Sequence, residues 1–135
     1  MAGKSLEEKV VVISGAGRGI GREIALEAGR AGAHVVVNDI GAALDGEGTD
    51  NTPADDVVQV IKDAGGSAVA SHDSVAEWDS ANRIISCALD TFGRVDAVVN
   101  NAGILRDRFF FNMNPEEWKS VIDVHLDGAF YMSRA

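Results

Sequence analysis

Three glycines spaced Gly15-x-x-x-Gly19-x-Gly21, an aspartate at Asp39 and the run Asn100-Asn101-Ala102-Gly103 are the residues whose types and spacing point to shared chemistry. A glycine-bearing turn that opens a helix presents unpaired N–H groups and a partial positive charge, the chemistry of pyrophosphate binding. Without a Cβ, the backbone can also come close to such a ligand. The spacing differs from the commoner G-x-G-x-x-G. Glycine turns of this kind also serve bare strand-to-helix corners and S-adenosylmethionine domains, so the turn alone leaves those readings open. Asp39 follows Gly21 by eighteen residues, where a carboxylate can accept both hydroxyls of an adenosine ribose while repelling a 2′-phosphate. It favours NAD over NADP. Arg18 weighs the other way, because a cation there would accommodate the phosphate; a solvated side chain at a helix start is its plain alternative.

These residues need strands that end at one edge. Residues 9–14 and 34–38 are Val-rich runs without alternation, as expected for parallel strands buried on both faces. Between them Gly19, Ile20, Ile24, Ala25 and Ala28 open and line a helix over 19–30 that Gly32 should stop. Pro53 opens a second helix with Val57, Val60, Ile61 and Ala64 on its apolar side, ended by Gly65-Gly66. A short strand over 67–71 follows. A helix over 77–92 should turn Trp78, Ala81, Ile84, Ile85, Ala88 and Leu89 inward, and a fourth strand should span 95–100. Asn114, Pro115, Glu116 and Glu117 form a helix start. The apolar pattern Trp118, Val121, Ile122, Leu126, Phe130, Met132 then runs on with no stop residue, so the sequence is expected to be cut inside a helix. Alternating strand and helix implies an α/β fold, a doubly wound parallel sheet of expected order 3-2-1-4. Ligands bind outside the carboxyl ends of such a sheet where the strand order reverses, and both glycine-bearing turns lie there.

Composition bounds the partners. Hydrophobic residues make up 46% and charged residues 24%, the balance of an ordinary globular domain, and a net charge of −9 disfavours nucleic acid and anionic membrane surfaces. The single cysteine, Cys87, fits a reducing compartment and reads as a small apolar helix residue. Residues 1–8 carry no apolar run of signal-peptide length and no stretch is long enough to span a bilayer, so a cytoplasmic location is expected. The Gly/Asp/Glu-rich segment 41–52 reads as a long, solvated and mobile loop. Asp45, Glu47 and Asp50 lie within it, but an EF-hand would need glycine where Asp50 stands, and His34 and His72 lack metal-ligand spacing. No metal is expected.

Ser14-Gly15-x-x-x-Gly19-Ile20-Gly21, Asp39 and Asn100-Asn101-Ala102-Gly103 together resemble the motif set of the short-chain dehydrogenase/reductase family, with Ser14 where the family usually has Thr. The likeness covers the whole chain and corresponds to about the first half of a family member. Residues 1–135 thus read as the dinucleotide-binding, Rossmann-like portion of one domain, incomplete at its C-terminus. The segments Asn38–Gly41, Asp73-Ser74, Gly103–Arg108 and Val124–Leu126 narrow the resemblance to the 3-hydroxyacyl-CoA dehydrogenase modules of type 2 peroxisomal multifunctional enzymes and their bacterial relatives.

That resemblance implies an NAD-dependent oxidoreductase interconverting a secondary alcohol and a ketone. It further implies a small-molecule substrate, an acyl-CoA by the narrower likeness, and a homo-oligomer in the full-length protein. A peroxisomal location stays open beside the cytoplasmic one. Asp73 would accept a hydrogen bond from the adenine amino group with Ser74 beside it, although Asp73 also reads as a helix N-cap. Asn100 and Asn101 would fix the fourth strand's turn while Ala102 and Gly103 let the cofactor ribose approach. His125 stands where the family usually has Asn, a residue whose backbone carbonyl holds a water in a proton relay; a helix residue hydrogen-bonded locally is the alternative.

The family's catalytic Ser and Tyr-x-x-x-Lys are missing from these residues. The only tyrosine, Tyr131, has Ala135 four positions on; it reads as a packing or subunit-interface residue. These 135 residues by themselves are therefore expected to be inactive. A non-catalytic dinucleotide-binding or sensing module is the alternative reading.

Overall fold

The computed structural model describes residues 5–135; the first four residues of the 1–8 stretch lie outside it. Four parallel strands, β1 (Val10–Ser14), β2 (His34–Asn38), β3 (Ser67–Ser71) and β4 (Ala97–Val99), form one sheet in the order β3-β2-β1-β4. The pairing is in step: Val10 lies opposite His34, Ser14 opposite Asn38, and Asn38 opposite Ser71. The carboxyl ends of β1, β2 and β3 therefore stop at one level. Reversal of the strand order at β1 opens a crevice there.

Alternation along the strands divides the core. Val11, Ile13, Val35 and Val37 face α1 (Gly19–Arg30) and α2 (Thr52–Asp63) in one buried cluster. Val10, Val12 and Val36 face α3 (Trp78–Phe92) in the other, joined by Met132. Gly32 and Gly65, at φ 95° and 83°, end the first two helices as their positions predict. Cys87 is half-buried against the second cluster, and burial pushes its thiol pKa up.

The structure corrects the apolar faces. Ile20, Val60, Trp78, Leu89, Trp118, Leu126 and Phe130 are all exposed, and so is Ala64. Periodicity locates a stripe but not its width, and each of these residues lies at a stripe's margin or beyond the sheet's reach. Strand β4 is three residues long rather than six. It carries one hydrogen-bonded neighbour, β1. The C-terminal helix is not continuous: α4 (Pro115–Ile122) and α5 (Gly128–Arg134) are separated by a π-helical segment, Asp123–Asp127. A full capping box starts α4, with the Asn114 side chain accepting from the Glu117 N–H and Glu117 reaching back to the Asn114 N–H. No helix among the described residues is long and apolar enough to cross a membrane.

Asp96 secures the amino end of the sheet. Its Oδ2 accepts the Val10 N–H at 2.8 Å, Oδ1 accepts from Arg94 at 2.6 Å, and its own N–H donates to the Val10 carbonyl. The Arg94 bond first, and the Val10 N–H second, hold its carboxyl below the usual 3.8. A depressed folded pKa contributes stability that is present above the unfolded value and lost as pH falls through the folded one. Asp96→Asn is therefore expected to melt earlier than wild type at neutral pH. The gap should close as melts are repeated down to about pH 2; a gap independent of pH would contradict this role.

Candidate functional site

The turn after β1 and the turn after β4 are tied by side chains. Ser14 donates its hydroxyl to the Val99 carbonyl at 3.3 Å and accepts the N–H groups of Asn101 and Ala102, each at 3.1 Å. The Asn101 carboxamide donates to the carbonyls of Ser14 and Gly15 at 3.2 and 3.0 Å. Gly15, at φ 64°, lies so close to Ala102 that an added Cβ would fall 2.8 Å from its Cα. Gly21, in the first turn of α1, is buried directly beneath the Gly15 carbonyl and the Asn101 amide, with no room for a Cβ. Gly19 differs: at φ 55° a Cβ there would meet no protein atom within 4 Å.

A cleft of about 320 Å³ opens above this knot. Gly15, Arg18, Gly19, Asp39, Asp73, Ser74, Asn101, Ala102 and Gly103 line it together. Three of the expected residues do not. Ile20 is 75% exposed outside it, Gly21 is packed below it, and Asn100 donates to Ser133 Oγ at 3.1 Å beside a smaller cavity of about 140 Å³. The open space at Gly19, at the head of α1, is a cradle a Cβ would fill. A pyrophosphate-bearing nucleotide fits such a place.

Asp39 turns its carboxylate inward, accepting the Gly17 N–H on Oδ2 at 2.8 Å and the Gly41 N–H on Oδ1 at 2.7 Å. Two acceptor positions of the four on a carboxylate stay free for ribose hydroxyls. Asp73 is not a helix N-cap: α3 begins after Glu77, without a side-chain cap bond. Its Oδ1 accepts from Arg83 Nε at 2.8 Å and Ser80 Oγ at 3.3 Å. Arg18 is exposed, with a guanidinium nitrogen 3.4 Å from the Ala42 carbonyl.

Segment 41–50 is folded back over the cleft. The Leu105 N–H donates to the Leu44 carbonyl at 2.8 Å, Arg106 pairs with Glu47 at 2.7 Å, and Ile104 covers Gly46. Ala42, Ala43, Leu44 and Ile104 thereby become cleft walls. The acids read against an EF-hand have other partners: Asp45 accepts the Glu47 N–H and Asp50 the Thr52 N–H, which lowers the Asp50 pKa. Nothing in segment 41–50 alone marks it as a wall, because its partners lie some sixty residues away.

His125, in the π-helical segment, places Nε2 3.1 Å from the Ile104 nitrogen and 3.0 Å from its carbonyl oxygen. One of these bonds forms at a time, according to which ring nitrogen carries the proton. Its partner is twenty-one residues upstream rather than on its own helix. The ring closes over Gly103, where an added Cβ would meet Cε1 at 2.6 Å. His125 borders the smaller cavity rather than the main cleft. Tyr131 packs edge-on against Trp78, ring centroids 5.6 Å apart.

Sheet order and flanking helices define a Rossmann-like α/β domain, and comparison with known proteins gives its family. The profile of the short chain dehydrogenase family matches residues 9–135. A short-chain type dehydrogenase/reductase of Mycobacterium tuberculosis is 52% identical over 130 residues, covering 96% of this chain and 46% of that protein. The peroxisomal hydratase-dehydrogenase-epimerase of Saccharomyces cerevisiae is 52% identical over 97% of this chain and 14% of its own length. The crystal structure of a short chain dehydrogenase from Mycobacterium avium superposes with a TM-score of 0.87 at 49% identity, covering 96% of this chain and 45% of that one. This chain belongs to the short-chain dehydrogenase family. It spans under half the length of these relatives.

The two inner glycines should fail differently. Gly21→Ala drives a methyl group into main-chain atoms of the knot, an overpacking cost of about 1–3 kcal/mol or more, and is expected to lower the melting temperature markedly. Gly19→Val leaves the knot's contacts intact but puts a branched side chain in the open space at the cleft wall, so it should abolish dinucleotide binding. Its stability loss should be about 1–2 kcal/mol, from backbone strain at the positive φ rather than from overpacking. Wild-type affinity in Gly19→Val would make the glycine turn a structural corner only.

Proposed function

We propose that the cleft holds NAD in preference to NADP. We propose further that these residues are the dinucleotide-binding portion of an oxidoreductase interconverting a secondary alcohol and a ketone, with 3-hydroxyacyl-CoA thioesters as the substrate class. The observation that carries the reading is the open cradle at Gly19, flanked in one cleft by Asp39, Asp73 and the Asn101–Gly103 turn. The substrate class draws support from relatives: a hydroxyacyl-CoA dehydrogenase of Mycobacterium tuberculosis is 44% identical over 96% of this chain.

When bound, the dinucleotide supplies a nicotinamide ring that accepts or returns hydride at the carbinol carbon. The chain's own residues do the holding. The first N–H groups of α1 and its dipole would balance the pyrophosphate charge, with Gly19 allowing close approach. Asp39 would accept ribose hydroxyls. Asp73 and Ser74 would border the adenine, and the Ala102-Gly103 turn would let the cofactor ribose approach, although the space a Cβ would take at Gly103 is covered by the His125 ring. The His125 carbonyl lies in a π-helical segment, where the usual i→i+4 pattern is interrupted. It would hold the water of a proton relay beside the smaller cavity.

Calorimetric titration of the intact protein should show tighter binding of NAD(H) than of NADP(H). Asp39→Ala should narrow that gap roughly tenfold, the worth of about 1–2 kcal/mol in hydrogen bonds to a charged acceptor. Equal or tighter NADP(H) binding by wild type would sink the preference.

Proton transfer by a positioned acid/base contributes about 10²–10⁴-fold, and Tyr131 has no Lys four residues on. Residues 1–135 by themselves are thus expected to give no change in NADH absorbance with 3-hydroxyacyl-CoA or simple secondary alcohols. Turnover by a mass-verified 135-residue chain, lost in Tyr131→Phe, would overturn this.

A further inference from the structure

Asn38 ends β2, opens the segment Asn38–Gly41 and lines the cleft, yet none of the site roles above falls to it. Its side chain is buried, with the residue only 2% exposed. The carboxamide nitrogen donates to the Asp73 carbonyl at 2.9 Å and to the Ser71 carbonyl at 3.3 Å, with Ser71 Oγ also at 3.3 Å. Two main-chain carbonyls at one end of the amide require that end to be nitrogen. Both N–H donors are thereby used, and Oδ1 is left as the free end. Among the described residues no hydrogen bond reaches it, and it is not one of the fully enclosed unpaired atoms, so it is open to the cleft that Asn38 lines. An acceptor fixed in a cleft wall and open to the cleft can take its donor from water or from a ligand that displaces it. Here the missing donor has a place to come from, because Asn38 is part of the cleft wall. The residue lies between the two corners that carry Asp39 and Asp73, and the Oδ1 of Asp73 is already engaged by Arg83 and Ser80.

We propose that Asn38 Oδ1 accepts a hydrogen bond from the adenosine half of the bound dinucleotide, given by the base amino group or by a ribose hydroxyl. Asn38 thereby acts as a specificity residue for that half. This rests on the cleft being a dinucleotide site. The same carboxamide ties the ends of β2 and β3 through the Ser71 and Asp73 carbonyls, so the acceptor is held rigid before the ligand arrives.

The test uses the intact protein and calorimetry with NAD, with nicotinamide hypoxanthine dinucleotide, which lacks the base amino group, and with the 2′- and 3′-deoxyadenosine analogues of NAD. Wild type should bind the analogue lacking the relevant donor roughly 3–10-fold more weakly than NAD. Asn38→Ala should weaken NAD by a similar factor and erase that one penalty while the others persist, which also tells the base donor from the ribose donor. If Asn38→Ala keeps its fold by circular dichroism and every penalty is unchanged, the role of Asn38 is overturned and the dinucleotide reading stands. If wild type binds no dinucleotide, both fall. Should Asn38→Ala fail to fold, a crystal structure of the wild-type complex with NAD decides. A ligand donor within about 3.2 Å of Oδ1 supports the proposal, and none there overturns it.

Discussion

The reciprocal bonding of Ser14 and Asn101 is the constraint from which the rest of the site follows. Ser14 is 1% exposed, and its hydroxyl serves three main-chain groups of the β4 turn; Asn101 answers with two bonds to the carbonyls that end β1. A parallel sheet must leave its strand ends somewhere, and an unpaired buried polar group there costs about 1–3 kcal/mol. Here the groups freed where β1 and β4 separate satisfy one another. That fixes how close the two turns stand, which in turn dictates Gly15 and Gly21. The crevice above them is thus a consequence of how two strand ends are closed, and it is shaped before any ligand enters.

Three aspartates at the sheet's margins divide the electrostatic work. Asp96 is at the amino end, far from the cleft, and is wholly structural. Asp39 and Asp73 border the cleft, and neither is a loose carboxylate. Asp39 is clamped by the Gly17 and Gly41 N–H groups, Asp73 by Arg83 and Ser80. Side chains held in this way lose little freedom on binding, so more of their interaction energy appears as affinity. The clamping also joins distant stretches of chain. Through Asp39 the glycine turn is coupled to the start of segment 41–50, and through Leu44 and Glu47 that segment is coupled to the loop after β4.

The strands, their order and the glycine turn were legible because each rests on a local rule: Val-rich runs for buried parallel strands, glycine at helix stops, alternating elements for a doubly wound sheet. Asp39, Asp73 and the Asn101–Gly103 turn were legible as cleft residues because topology puts strand ends together. What escaped depends on contacts between remote residues. Segment 41–50 reads as a loose loop until Leu105 and Arg106 are placed against it. Asn38 looks like one more strand residue, since its importance comes from Ser71 and Asp73. The exposed Trp118, Leu126 and Phe130 share the apolar period of a core helix, but the sheet does not extend beneath them.

The π-helical segment gives no sequence signal either, and it matters most for the far side of the site. A π turn holds one residue more than an α turn, so it shifts the phase of everything after it by about 100° relative to an unbroken α-helix. Downstream of it Met132 is buried in the second core cluster, and Gly128 comes so near Val75 that an added Cβ would lie 2.9 Å from the valine. Upstream, α4 keeps no buried residue at all. Within the segment, Val124 reaches the cleft and the His125 ring reaches Ile104. Val124, Gly128 and Met132, at i, i+4 and i+8, run along one side of the helical stretch from the cleft wall to the second core cluster. The π-helical segment interrupts the usual i→i+4 bonding beside the smaller cavity that His125 borders.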